Sequence, residues 1–375
     1  MIYLDANATE PLRPEARAAL LAALEGKPGD GLGNPYSVHR AGRASRKILE
    51  DAREALAARF GSRPADLVFT SGATEADALA LHALGAGRRL IVGATEHDAI
   101  LSAAAGATLL PVDHDGIADL GALETLLAAG PPALVCLMAA NNETGAIQPI
   151  AEAAAICHRH GALLHVDAVQ AAGRMGFSLT YWGADSVAIS SHKMGGPAGV
   201  GALLLAPAHT ALSPLIGGGG QERGRRGGTP AVALCAGFAA AALAAGDASA
   251  LAPMRDAAER AAVAQGAIII GGAAPRLPNT TCLALPGIRA DAQVIALDLA
   301  GVCVSAGAAC AAGKIASSHV LTAMGLGDLA GQAIRVSFPW NARTEDVAGF
   351  ARAYAHMVAT LRPAMSAKSL SGAAA

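Results

Sequence analysis

Between about Pro64 and Pro207 the chain alternates short, uninterrupted apolar runs with longer segments whose apolar residues recur at helical spacing. The runs are LVFT (67–70), LIVG (90–93), TLLPV (108–112), ALVCLM (133–138), ALLHV (162–166), SVAIS (186–190) and GALLL (201–205). Between them lie stretches such as EADALALHALGAG and PIAEAAAICHRHG, whose apolar positions suit helices packed on a sheet. This alternation predicts an α/β fold with a mostly parallel sheet flanked by helices on both faces. Ligands of such sheets gather at the carboxyl ends of the strands.

After about Ala250 the pattern changes. CLALP (282–286) and IRVSF (334–338) read as strands, and TEDVAGFARAYAHMVATLRP reads as a closing helix. The expected organisation is an N-terminal segment 1–15 packing with a small unit, a large domain 16–250, a smaller α+β domain 251–364 and a disordered tail 365–375. The uncharged, alanine-rich run from Pro230 to Gly246 is short of the roughly 20 residues a membrane span needs, so a buried helix is expected there.

Composition narrows the function. A formal net charge of -2 gives no footprint for nucleic acid or an anionic membrane. The six cysteines include no CxxC pair in a chain too large to need staples. With no signal-peptide pattern at MIYLDANATE, free thiols in a reducing cytoplasm are expected.

Lysine is scarce: only Lys27, Lys47, Lys193, Lys314 and Lys368 occur. Lys193 nevertheless follows SVAIS directly, beside His192 and ahead of glycines. A lysine amine at a strand end can form a Schiff base with a carbonyl cofactor, or simply snorkel from a loop. Other strand ends also carry polar groups. LVFT leads into SGATEAD, where a helix start offers amides to a phosphate or a capping-box-like pair, Thr74 with Asp77. ALLHV is followed by Asp167, a carboxylate that suits a protonated heterocyclic nitrogen or serves as a helix cap or structural ion pair, with Gln170 three residues on. His97 can stack on a planar ring or cap a helix, and Asn142 can bond a ligand or shape a turn.

With these residues in place the chain resembles the cysteine desulfurases, pyridoxal-phosphate enzymes of the class V aminotransferase superfamily. YLDANAT, GNPYSVHRAGR, FTSGATEAD, TEHDAI, NNETGAIQPI, HVDAVQAAG, SSHKMGGPAGVGAL, GGGGQERGRRGGT, SAGAAC and IRVSF follow the family's order through nearly the whole chain. The resemblance implies the pyridoxal-phosphate-dependent transferase fold type I, and a homodimer. It implies Lys193 as the cofactor's lysine, Asp167 at the pyridine nitrogen and Gln170 at the phenolic oxygen. Thr74, Ser190 and His192 would bind phosphate, with Thr229 reaching the phosphate of the second subunit. His97 would stack on the ring and move protons, while Asn142 and Arg335 would hold the substrate carboxylate. Cys310 would take sulfur from L-cysteine as a persulfide, leaving alanine, for an iron-sulfur scaffold or a thiolation enzyme. The family commonly has SSGSAC where this chain has SAGAAC, so two hydroxyls are missing beside the nucleophile. A selenocysteine lyase, another class V enzyme, or a weakly active paralogue serving as a binding or regulatory protein are the alternatives.

Overall fold

The computed structural model describes residues 1–25, 33–307 and 317–371, with side chains as far as residue 362. The chain opens with a two-residue strand, β1 (Ile2–Tyr3). Seven strands then build the large sheet: β2 (Leu67–Thr70), β3 (Arg89–Gly93), β4 (Thr108–Leu110), β5 (Ala133–Cys136), β6 (Leu163–Asp167), β7 (Ser186–Ser190) and β8 (Gly201–Leu205). Their spatial order is β2-β8-β7-β6-β5-β3-β4. Pairing is parallel from β7 through β4, and β8 runs antiparallel between β7 and β2.

All seven apolar runs are therefore strands. Every residue of β2, β5, β7 and β8 is buried, because helices cover both faces and leave no polar side to alternate with. Leu67, Val135, Leu164, Val187 and Leu204 face one core, and Val68, Leu134, Ala188, Leu203 and Leu205 face the other. The TLLPV run stops as a strand at Leu110, since Pro111 has no amide hydrogen to extend a ladder. The alanine-rich run forms the helix Val232–Ala244, apolar on all sides and packed between the helices Pro14–Glu25 and Arg40–Phe60 and the sheet.

A second sheet follows, from β9 (Ile268–Ile270), β10 (Thr280–Ala284), β12 (Ser305–Ala306) and β13 (Ala333–Ser337), in the antiparallel order β12-β13-β10-β9. The strand expected at 282–286 begins two residues earlier, at the β-branched pair Thr280 and Thr281, and stops before Leu285 and Pro286. The strand β11 (Val302–Cys303) pairs in parallel with β1, and Leu4 sits in this second core beside Val302, Phe350 and Tyr354. The closing helix runs Thr344–Ser371, past residue 364, where the sequence reading started a disordered tail. No glycine or proline lies between Ala364 and Ser371 to stop it.

Among the described residues no single helix is long and apolar enough to cross a membrane.

Candidate active site

β5, β6 and β7 are neighbours, and their carboxyl ends open on one cavity of ≈ 420 Å³. Thr74, His97, Asn142, Asp167, Gln170, Ser190, His192, Lys193 and Arg335 all line it. Eight of the nine come from the large sheet and its loops. Arg335 comes from β13 of the second sheet, so the cavity lies where the two sheets meet.

Lys193 stands in a single 3-10 turn, Ser191–Met194, directly after β7. Gly195 ends that turn at φ +85, and a Cβ there would lie 2.6 Å from Arg13 Cγ, so both backbone angle and space demand glycine. The amine donates to the carbonyls of Asn7 and Ala8, at 2.6 and 2.9 Å. Burial, with Arg335 and Arg174 nearby, lowers its pKa from the ordinary value to about 8. The amine is thus poised near neutrality. His192 is pulled down to about 4 by burial and by the charges of Lys193 and Arg174, so its ring is neutral. Its Nδ1 meets Thr9 Oγ1 at 2.8 Å.

At the end of β6, Asp167 Oδ1 accepts from the Val169 amide at 2.9 Å. Burial raises its pKa, and no ion pair to it forms among the described residues. A buried carboxylate in a cavity wall with no cation is arranged for a positive ligand. Behind it, Asp77 accepts or shares a proton with His165 Nε2 at 3.1 Å, and its Oδ2 is buried without a partner. The capping-box-like pairing of Thr74 with Asp77 is therefore not formed. Asp77 turns inward to His165, and Glu75 instead accepts from the Ser71 amide at 2.8 Å.

The helix Ala73–Leu84 begins at Gly72 with no side-chain cap, so its first amides stay available at the cavity. Gly201 of β8 permits this: a Cβ there would lie 2.6 Å from the carbonyl carbon of Gly72. His97 takes the capping role from a place in the cavity wall. It lines the cavity, and its Nδ1 caps the helix Asp98–Ala103 by accepting from Ala99. Arg335 donates to Asp5 Oδ1 at 2.8 Å and to the Asn142 carbonyl at 3.1 Å, while its Nε is buried and unpartnered.

One expected residue lies elsewhere. Thr229 lines an adjoining cavity with Ser71, Gly199 and Arg226, on the far side of the helix start. Cys310 lies outside the described residues. None of the five described cysteines lines the site, and burial pushes the thiols of Cys136, Cys157, Cys235 and Cys282 up. Cys303, read from sequence as core, is half-buried in β11.

Sequence reasoning assigned no role to Asn7, whose carbonyl meets both Lys193 and Gln170. The signal was there in the DANAT stretch, but nothing in the sequence tells that this turn folds 186 positions away onto the lysine.

The aminotransferase class-V family model matches residues 2–350. The chain belongs to this family and, within it, to the cysteine desulfurases. It is similar to a cysteine desulfurase of Cereibacter sphaeroides, 41% identical over 340 residues that span 86% of each chain. An IscS-like cysteine desulfurase of Mycobacterium tuberculosis is 36% identical over 87% of this chain and 88% of its own. Among solved structures, a NifS-like protein from Rickettsia africae superposes with a TM-score of 0.87 at 32% identity, covering 95% of this chain and 99% of that one. Cysteine desulfurase activity is the function these relatives support.

Proposed function

We propose that the cavity holds pyridoxal 5′-phosphate on Lys193, takes L-cysteine, and delivers its sulfur to Cys310. One observation carries the reading: a lysine amine poised near neutral pH shares a cavity with Asp167, a buried carboxylate that has no cationic partner.

The donor set fits that cofactor. Thr74, Ser190, neutral His192 and the free amides of the helix start suit a phosphate. Asp167 would keep the pyridine nitrogen protonated, and Gln170 would bond the phenolic oxygen. Bound there, the cofactor supplies an electron sink for negative charge at the substrate α-carbon. Lys193 would take the α-proton and return a proton, a task its lowered pKa suits. His97, at the cavity rim, would flank the ring and shuttle protons. Arg335, with its Nε free, and Asn142 would hold the substrate carboxylate.

For the sulfur step, the thiolate of Cys310 attacks the substrate sulfur. An S–S bond forms, the substrate C–S bond breaks with its electron pair going to carbon, and that carbon gains a proton. L-alanine leaves and the enzyme keeps a persulfide. The exclusion of the five described cysteines from the cavity supports Cys310 in this role.

In this reading residues 16–250 form the cofactor unit, 251–364 the unit that bears the cysteine, and 1–15 a segment packed with the latter. Thr229 would serve the phosphate of a second copy, making the working form a homodimer. The persulfide would pass in the cytoplasm to an acceptor protein, an iron-sulfur scaffold or a thiolation enzyme.

The test is to give cofactor-reconstituted protein L-cysteine and a reductant, and to quantify alanine and sulfide beside a Cys310→Ala variant. Equal yields that vanish in the variant support the reading. Undiminished sulfide from the variant removes Cys310 from it, and no turnover with cofactor attached would favour a binding or regulatory role.

A further inference from the structure

The residues just before the first helix run across the back of the site as a strap. On one side of Lys193, the Glu10 amide donates to the His192 carbonyl at 3.0 Å and Thr9 Oγ1 meets the His192 ring. On the other side, the Arg13 amide donates to the Gly195 carbonyl at 2.8 Å, and Arg13 Nε to the Met194 carbonyl at 2.9 Å. Just ahead of these anchors in the chain, the carbonyls of Asn7 and Ala8 receive the Lys193 amine. The strap has no regular secondary structure of its own there: the Ala6 and Asn7 amides donate to the Ser337 carbonyl and hydroxyl, at 3.1 and 3.0 Å, Asn7 Nδ2 donates to Thr280 Oγ1 at 3.0 Å, and a further group ties the strap to the turn after β6.

That group is Arg174. It is fully enclosed in the turn that follows β6, and its guanidinium reaches two structures at once. Nη1 donates to the Gln170 side-chain oxygen at 2.9 Å and to its carbonyl at 3.2 Å. Nη2 donates to the Ala6 carbonyl at 3.1 Å and to Glu10 Oε2 at 3.3 Å. With Oε1 occupied, the Gln170 amide has one orientation, and its Nε2 donates to the Asn7 carbonyl at 3.0 Å. Glu10 is held in turn by the Trp340 amide at 2.6 Å.

We propose that Arg174 is a positioning residue of this site: it fixes the Gln170 amide and the strap together, and the strap's carbonyls in turn receive the Lys193 amine. The inference rests on the reading of Lys193 as the cofactor's lysine. It adds that the orientation of the Lys193 amine depends on a residue that does not touch it. A lysine could not replace Arg174, since an ammonium has no planar fork to span Gln170 and Ala6.

The charged groups facing the Lys193 amine are Arg335 from β13, Asp167 from β6, Asp5 from the strap, Arg174 and the adjacent His192. Removing one cation from this set moves the amine's titration upward. The test uses the full chain without cofactor, labelled with limiting acetic anhydride across pH, with the Lys193 peptide read by mass spectrometry. The wild-type midpoint is expected near 8. Arg174→Met should raise it by roughly one unit, and Arg174→Lys, which keeps the charge, should leave it within about 0.3 unit. Both variants should bind pyridoxal phosphate about tenfold more weakly, the loss of roughly one oriented hydrogen bond. A role in folding alone would lower stability while Arg174→Lys, which keeps the charge, kept wild-type cofactor affinity. An unmoved midpoint in Arg174→Met, or wild-type cofactor affinity in Arg174→Lys, overturns the proposal. If Arg174→Met does not fold, Arg174→Lys decides through affinity. Wild-type protein that takes up no cofactor would overturn the proposed function instead, and the labelling midpoints would still judge Arg174.

Discussion

Two clusters of buried charge stand on either side of the large sheet, and they are built on opposite plans. At one corner Arg53 grips Glu222 through both carboxylate oxygens, at 2.8 and 2.7 Å, and Glu222 also accepts from the Phe69 amide at 3.0 Å. The two charges of that pair are matched, and the neighbouring buried Arg225 donates to the carbonyls of Glu222 and Leu67, at 3.0 and 3.2 Å. The pair holds a backbone corner in which Glu222 and Arg223 take φ of 46 and 61, values that non-glycine residues rarely adopt. At the cavity floor, by contrast, Asp77 and Asp167 line the cavity and Glu96 is buried beside them; burial raises the pKa of all three, the charge of Asp167 raises Asp77 and Glu96 further, and the Val169 amide, His97 and Lys193 pull Asp167 back. Two of their oxygens, Asp77 Oδ2 and Glu96 Oε2, have no partner. A closed pair stabilises a shape, whereas an open set of like groups is maintained for something that arrives later.

Substituting one member of each cluster should give opposite outcomes. Asp167→Asn keeps an acceptor for the Val169 amide but removes the anion, so turnover of L-cysteine should fall about 10²- to 10³-fold while the thermal midpoint holds or rises. Steady-state kinetics beside a thermal melt would check it, and a variant that lost stability but kept its rate would put Asp167 in the structural class. Glu222→Gln should do the reverse. It leaves Arg53 buried without its counter-charge and should cost about 3 kcal/mol of unfolding free energy, with a far smaller effect on turnover. Urea denaturation decides it; an unchanged midpoint would mean that the corner is held by its backbone bonds alone.

The sequence disclosed these two clusters unequally. Of the open cluster only Asp167 was legible, because it ends an apolar run, as Ser190 does and as Lys193 nearly does, and strand ends of a parallel sheet must meet. The Arg53–Glu222 corner was not legible, since 169 residues separate the two and each looks like an ordinary surface charge. The same holds for the strap, whose contacts with His192, Met194 and Gly195 span more than 180 positions. Short strands escaped for another reason. β9, β11 and β12 have two or three residues each, too few to show a period; β9 and β12 form on the longer β10 and β13, and β11 pairs with the equally short β1. Asp77 was misread by a local rule, as a helix cap, because only the folded sheet brings His165 beneath it.

The smallest expected effect sharpens the open cluster from within. Glu96 is fully buried, accepts from the Met138 amide at 2.5 Å, and has its pKa raised by burial and by Asp167 from the ordinary 4.5 to about 8. Between those two pH values the folded chain keeps a proton that the unfolded chain has released. The stability this confers is therefore fully present below about 4.5 and is lost as pH rises through about 8. One such group can tilt stability by at most about 1.4 kcal/mol per pH unit. Glu96→Gln carries no titrating proton and keeps the oxygen that Met138 needs, so its unfolding free energy should fall less steeply between pH 5.5 and 8 than the wild type's. His165, lowered by burial to about 3, acts in the opposite sense, losing its contribution as pH falls from 6.5 towards 3, so the comparison is cleanest above pH 6.5. Identical slopes in the two proteins would show that Glu96 ionises in the folded chain, and the cavity floor would then carry more negative charge than a single cationic ring nitrogen could balance.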